Sequence, residues 1–298
     1  MSALDEVKQA VRTVSAAAAP SVVSIGRHGR GTGFVVAPNR VLTNAHNLRD
    51  RTTQVRFADG RTVQGAVTGS DIDGDLVVLD VDTGDAPPLA WAEQSADAGD
   101  VVVTVTAGRH QTRATWGQVT SVDRSFHGPR GRPIAGAVEH TAPSPAGSSG
   151  APVLDTNGRV VGVNTHRLEH GFYLARAVDP ALRDAVTSLA EGRTIERVTL
   201  GVALAAPHVA ARLRKAVGLP ERDGLLVRGV VDGSPAAAAG IQEGDLLVKA
   251  GPAAMGADLT TPDDLFAALA AVEPGGTLTI GIIRGADEST VTVTFPAE

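Results

Sequence analysis

The chain has 298 residues, of which 43% are hydrophobic and 20% charged, with a formal net charge of −6 and no cysteine. That length supports two or three domains with cores of their own, and the composition belongs to a folded chain, not a disordered one. The acidic balance leaves no basic excess to neutralise phosphates, which argues against nucleic acid as the main partner, and the missing cysteine removes disulfides, thiol catalysis and thiolate metal sites. Aromatic residues are only 3%, so the cores must be built from small and β-branched side chains.

Taken in order, the first segment (1–19) carries Leu4, Val7, Val11 and Val14 at helical spacing, and Pro20 stops the pattern. A short amphipathic helix is expected there. Asp5 and Glu6 interrupt any apolar run, so the segment is neither a signal peptide nor a membrane span, which points to a cytoplasmic protein. From Pro20 to about Val178 the text is short β-branched runs broken by Gly, Asn, Asp and Pro, at roughly ten-residue spacing. An all-β barrel or sandwich follows, mainly β in class and reaching to residue 191. Residues 180–191 read as a closing helix and 192–198 as a linker. The remainder, 199–298, reads as a separate α/β module with apolar runs at Gly224–Val227 and Gly244–Val248, a helix near Pro262–Val272 and two final strands.

Three motifs carry chemistry. Gly147-Ser148-Ser149-Gly150-Ala151-Pro152 is a small-residue turn before an apolar strand, where glycines let a carbonyl approach a serine and let N–H groups converge on an oxyanion. Alone, such a cluster is most often just a loop. Upstream, His46 follows the apolar run Val41-Leu42-Thr43, and Asp71, Asp73 and Asp75 precede the run Leu76–Leu79. The order His, Asp, Ser is that of a chymotrypsin-type triad. Read as TNAHN, GDLVVL and GSSGAP, the three motifs resemble the HtrA (DegP-like) family of trypsin-fold serine proteases, whose members read TNAHV, TDLAVL and GNSGGP. The segment from Leu200-Gly201-Val202 through Gly233-Ser234-Pro235 and Gly240-Ile241 resembles the PDZ domain found with such proteases.

The resemblance implies two six-stranded barrels with a cleft between them over 20–191, followed by a PDZ domain. In it Ser149 is the nucleophile, His46 the base and Asp75 the group that orients the imidazole, with the Gly147 and Ser149 N–H groups as oxyanion hole. Neither a metal nor an organic cofactor is required. The PDZ module is expected to hold a peptide C-terminus on the backbone N–H groups of Leu200, Gly201 and Val202, with Leu265 and Leu269 as an apolar side wall. Substrates implied are unfolded or damaged proteins, and the N-terminal segment is expected to help form a homotrimer. The resemblance also brings an extracytoplasmic alternative, if a leader has been removed.

Rivals and departures sharpen the reading. His140 is the nearest other base in sequence, and Asp71 and Asp73 compete with Asp75, though only Asp75 directly precedes the apolar strand. Asp71, Asp73 and Asp75 match the start of a calcium loop, but Leu76 stands where its glycine belongs. His166-Arg167-Leu168-Glu169-His170 spells an inverted zinc-protease motif, yet it follows a strand and runs into Gly171, so a hairpin loop is expected. Relative to the family, Ala146, Ser148 and Thr141 replace a proline, an asparagine and an aspartate, and Ala107–Gln111 replaces a Gly-rich loop. Ser148 cannot form the activating salt bridge of some chymotrypsin relatives, so activation by loop rearrangement is the better expectation. The alternative function is a PDZ-mediated binding or chaperone-like protein with a resting or weak protease site.

Overall fold

Valine-rich strands, most of them buried along nearly their whole length, build the first part of the molecule and close into barrels in which each strand has a neighbour on both sides. The computed structural model describes residues 2–108, 111–219, 222–252 and 256–297. It divides into two units, Met1–Glu196 and Arg197–Glu298.

In the first unit a capping box starts helix α1 (Ala3–Ala18): the Asp5 N–H donates to the Ser2 hydroxyl while the Asp5 carboxylate accepts from the Ser2 N–H. The Ser2 N–H and the Ser2 hydroxyl, both donating to the Asp5 carboxylate, hold its carboxyl below the usual carboxylate range. Val14 and Ala18 at the far end of α1 are buried, whereas Leu4 is 70% exposed. Strands β1 (Val22–Ile25), β2 (Gly31–Ala37), β3 (Arg40–Thr43), β4 (Thr52–Arg56), β5 (Thr62–Asp71) and β6 (Leu76–Asp80) close a barrel in the order β1-β2-β3-β6-β5-β4. Strands β7 (Val101–Ala107), β8 (Thr112–His127), β9 (Pro133–His140), β10 (Pro152–Leu154), β11 (Val160–Arg167) and β12 (Tyr173–Ala177) close a second, in the order β10-β11-β12-β9-β8-β7. Helix α2 (Pro180–Ala190) follows, started by the Asp179 carboxylate accepting from the Leu182 N–H at 2.6 Å, with Pro180 preset for the first turn.

Each barrel has its own filling: Val23, Ile25, Val41 and Leu79 in the first, Val102, Val119, Val138 and Val153 in the second. A third buried cluster joins them. It takes Phe34, Leu42 and Leu76 from the first barrel, Val103, Leu154 and Val163 from the second, Val14 from α1 and Leu182 and Leu189 from α2. Phe34 meets Trp91 edge-on at 5.9 Å between ring centroids, one of the few aromatic contacts in a chain so poor in aromatics.

In the second unit, β13 (Val202–Leu204), β14 (Leu225–Val230), β15 (Leu246–Gly251), β17 (Thr277–Arg284) and β18 (Asp287–Thr294) form a sheet in that order, with β16 (Ala257–Asp258) paired to β15. Helices α3 (Pro207–Ala216), α4 (Pro235–Ala238) and α5 (Pro262–Ala270) complete the unit. Before α5 the Asp264 carboxylate accepts from the N–H groups of Thr261 and Thr260, which holds its carboxyl down to about 2. Helix α3 has no counterpart in the sequence reading, although Pro207 at its first turn and the helix-forming run Ala210–Ala216 both signal it.

The shared cluster makes the two barrels one folding unit, and Leu154, fully buried within it, tests this. Leu154→Ala is expected to cost about 3 kcal/mol. Both tryptophans, Trp91 and Trp116, lie in the first unit. Their fluorescence in a urea titration should therefore show one transition at lower denaturant. Two separated transitions would mean that the barrels unfold independently.

Candidate active site

The β5–β6 turn is built to bury a carboxylate. The Asp71 Oδ1 accepts the Gly74 N–H at 2.7 Å, Arg176 Nη1 donates to the Gly74 carbonyl at 2.6 Å, and Arg132 lies 3.8 Å from Asp73. Asp71 and Asp73 are thus spent on the turn, and Asp75 leaves it at a φ of +55°, a left-handed backbone that an aspartate tolerates at some cost. Its carboxylate is 2% exposed and takes three bonds. Oδ1 accepts the His46 N–H at 3.0 Å; Oδ2 accepts the Thr165 hydroxyl at 3.1 Å and lies 2.7 Å from His46 Nδ1. The histidine comes from a single 3₁₀ turn, Ala45–Asn47, set directly after β3. Asn44 fixes that turn by donating to the Asp75 carbonyl at 2.9 Å. With Nδ1–H directed at the carboxylate, His46 keeps the Nε2 lone pair free to accept a proton.

The serine loop approaches from the second barrel. The Ser148 N–H donates to the Pro145 carbonyl, closing a turn in which Gly147 has a φ of +87°. Gly150 has a φ of +85°, and a Cβ there would lie 2.1 Å from the Thr32 carbonyl oxygen, so no other residue fits. The backbone of Ser149 is then tied to the first barrel: its carbonyl accepts from the Thr32 N–H at 2.9 Å and from Asn47 Nδ2 at 2.8 Å. Among the described residues, no hydrogen bond takes the N–H of Gly147 or of Ser149. The Ser149 hydroxyl donates to the Thr165 carbonyl at 3.1 Å, not to His46. Thr165 therefore touches both partners, through its hydroxyl to Asp75 and its carbonyl to Ser149. Sequence reasoning missed Thr165, Thr32 and Asn47. The only signal for Thr165 was its place at the end of an apolar strand aimed at the serine loop.

His140 lies fully buried at the end of β9. Its Nδ1 accepts the Ala142 N–H at 3.2 Å, so the proton sits on Nε2 and is donated to Asn164 Oδ1 at 3.1 Å; Asn164 in turn donates to Ser144 Oγ at 2.9 Å. The ring stacks on Tyr173. Burial pushes the His140 imidazole below its usual range, with the Asn164 bond acting weakly the other way. His166 lies on β11 facing the His127 carbonyl at 3.1 Å, whereas His170 sits in a 3₁₀ turn at a φ of +60°. The two imidazoles do not share a helix face. Two residues of the altered loop, Arg109 and His110, lie outside the described residues.

In the second unit Leu200 is buried, with its carbonyl accepting the Ala236 N–H, and the Gly201 carbonyl accepts from Val231. Val202 opens β13, which among the described residues pairs only with β14 and so presents its other side unpaired. That edge could take an added strand. Leu265 and Leu269, spaced i and i+4 on α5, are buried in the core cluster with Leu200, Val227 and Leu247.

Residues 31–163 match the family model of a trypsin-like peptidase domain, and residues 199–295 that of a PDZ domain. The sequence is 29% identical over 277 residues to a probable periplasmic serine endoprotease, DegP-like, of Pseudomonas fluorescens, covering 90% of this chain and 56% of the relative. It is 32% identical over 237 residues to the putative serine protease HhoA of Synechocystis, covering 74% of this chain and 59% of the relative. The chain thus spans little more than half the length of these curated relatives. In fold it is similar to a solved HtrA-type protease, AlgW with a decapeptide, at a TM-score of 0.68 and 21% identity over 97% of this chain and 98% of that one.

The buried imidazole makes stability depend on pH. A histidine whose folded pKa is depressed stays neutral in the folded state while the unfolded chain takes up a proton near pH 6.5. Its contribution is fully present above about pH 6.5 and falls as pH drops below it. Urea midpoints should decline between about pH 7.5 and 5.5, and less steeply in His140→Gln. An unchanged slope in that variant would remove His140 as the cause.

Proposed function

The chain belongs to the HtrA family of trypsin-like serine proteases carrying a PDZ domain, and on that footing we propose that it is an endopeptidase for unfolded or damaged proteins, using His46, Asp75 and Ser149. The observation that carries this reading is the buried Asp75 carboxylate 2.7 Å from His46 Nδ1, with Thr165 linking that pair to Ser149.

In the proposed mechanism a small rotation about the Cα–Cβ bond moves the Ser149 hydroxyl from the Thr165 carbonyl to His46 Nε2. The imidazole takes the proton as Ser149 Oγ attacks the peptide carbonyl, and Asp75 stabilises the imidazolium. The uncommitted N–H groups of Gly147 and Ser149 receive the oxyanion, where one lost donor costs about 3 kcal/mol of barrier. His46 then returns the proton to the leaving amine, and water repeats the sequence on the acyl-enzyme. The PDZ module recruits or senses peptide C-termini through the N–H groups of Leu200, Gly201 and Val202 beside the open edge of β13. Relatives named periplasmic favour an extracytoplasmic place of work over a cytoplasmic one. No described helix is long and apolar enough to cross a membrane. The exposed Leu4 end of α1 suits contact with further copies, in keeping with a homotrimer.

One observation favours a second reading. The Ser149 hydroxyl rests on the Thr165 carbonyl, the arrangement of a resting site, which suits a PDZ-mediated binding or chaperone-like protein whose protease is weak or awaits a signal.

Casein should be degraded by the purified chain and not by Ser149→Ala. Asp75→Asn is expected to lower kcat by about 10³–10⁴-fold, and Thr165→Val to lower kcat/KM about tenfold by loosening the carboxylate. If casein is cleaved only when C-terminal peptides are added, the PDZ module switches the site on. Silence under both conditions would leave the binding-protein reading.

A further inference from the structure

The cleft beside the candidate nucleophile is lined mainly by basic side chains, in a chain that is acidic as a whole. On the first-barrel side a cleft of about 670 Å³ lies between the β1–β2 turn and the residues that follow His46. Arg27, His28 and Arg30 come from the turn and Arg49 from the segment after the histidine, against a single lining carboxylate, Asp50. In a chain of net charge −6 this is a local reversal of sign. Among the described residues no carboxylate pairs with Arg27, Arg30 or Arg49, whereas other arginines of this unit are spent on structure, as Arg40 is on Asp80 and Arg176 on Asp71. Thr52, Thr53, Gln54 and Gln64 line the remainder with neutral donors.

The cleft's position assigns it to one half of a substrate. Asn47, which lines the cleft and follows His46 in sequence, donates to the Ser149 carbonyl, while the Ser149 hydroxyl donates to Thr165 of β11. The backbone pairing of β11 with β10 and the residues leading into it ends at Asn164, so among the described residues Thr165–Arg167 have no strand on that side and offer an edge for the acyl half of an extended peptide. The other half, which leaves as the amine protonated by His46, then passes over Asn47 and onto the arginines. A guanidinium binds a carboxylate through two parallel N–H···O bonds and repels ammonium groups.

We propose that Arg27, Arg30 and Arg49 set substrate specificity on the leaving-group side, selecting peptides with Asp or Glu in the first few residues after the scissile bond. This rests on Ser149 being the nucleophile, and the test separates the two claims. Quenched fluorescent peptides, amidated at the C-terminus so that the PDZ site has no carboxylate to hold, would share one acyl half and carry Asp-Glu, Ala-Ala or Lys-Lys after the bond. The full chain should cleave the acidic peptide with a kcat/KM about tenfold above the lysine one, the ratio shrinking at high salt. In Arg30→Glu/Arg49→Glu the order should invert. A ratio near one in the wild type, or a preference that survives the double substitution, overturns the proposal. If Ser149→Ala cleaves as well as the wild type, the protease reading fails. Fluorescence anisotropy of the labelled acidic and lysine peptides on the Ser149→Ala chain then still decides the cleft's selectivity. Tighter acidic binding that is lost in the double arginine variant supports it, and equal binding overturns it.

Discussion

A carboxylate withdrawn from water is the constraint around which the first unit is arranged. An ionised group with 2% exposure costs several kcal/mol unless its lone pairs are met by donors. Asp75 meets that demand with three: the backbone and side chain of His46, and the hydroxyl of Thr165. Its left-handed backbone adds about 1–3 kcal/mol of local strain. Such a conformation persists because the turn before it is overdetermined, with Asp71 closing on Gly74 and Arg176 crossing from β12 to reach the same glycine.

The donors do not come from one barrel. Asp75 and His46 belong to the first and Thr165 to the second, while the Ser149 backbone of the second barrel is held by Thr32 and Asn47 of the first. Each barrel thus completes the half-site of the other, and the shared apolar cluster around Phe34, Leu42 and Leu154 brings them into register. His140 and Asn164 do comparable work beneath the serine loop, where a neutral imidazole locks the backbone of Ala142 and the side chain of Asn164 positions Ser144. It is a polar brace in a core that has few aromatic rings to stiffen it.

Much of this was legible in the sequence because it is written locally. Valine-rich runs with turn residues between them spell the strands, and the order of His46, Asp75 and Ser149 against those runs points to one cleft. What could not be read depends on contacts between distant segments. Thr165 gains its importance only when β11 is laid beside the β5–β6 turn, and its place after an apolar run is its one local sign. Leu265 and Leu269 show a related limit: an i, i+4 apolar pair declares that a helix has a buried face, not whether that face meets a sheet or a ligand, and the structure buries both in the core of the module. Helix α3 was passed over although its start signal and helix-forming residues were present. The arginine-lined cleft also required coordinates, since Arg30 and Arg49 are brought together by barrel closure.

The cross-stitching at Ser149 has a consequence for the order of events in the life of the molecule. A ribosome delivers Thr32 and Asn47 well before the serine loop, and Asp75 well before Thr165. Until β11 has docked, the Asp75 carboxylate lacks the Thr165 hydroxyl and the Ser149 hydroxyl lacks the carbonyl on which it rests. A nascent chain therefore carries the parts of the site without the site. A site assembled this way stays incomplete while the chain emerges, until the last strands of the second barrel are in place.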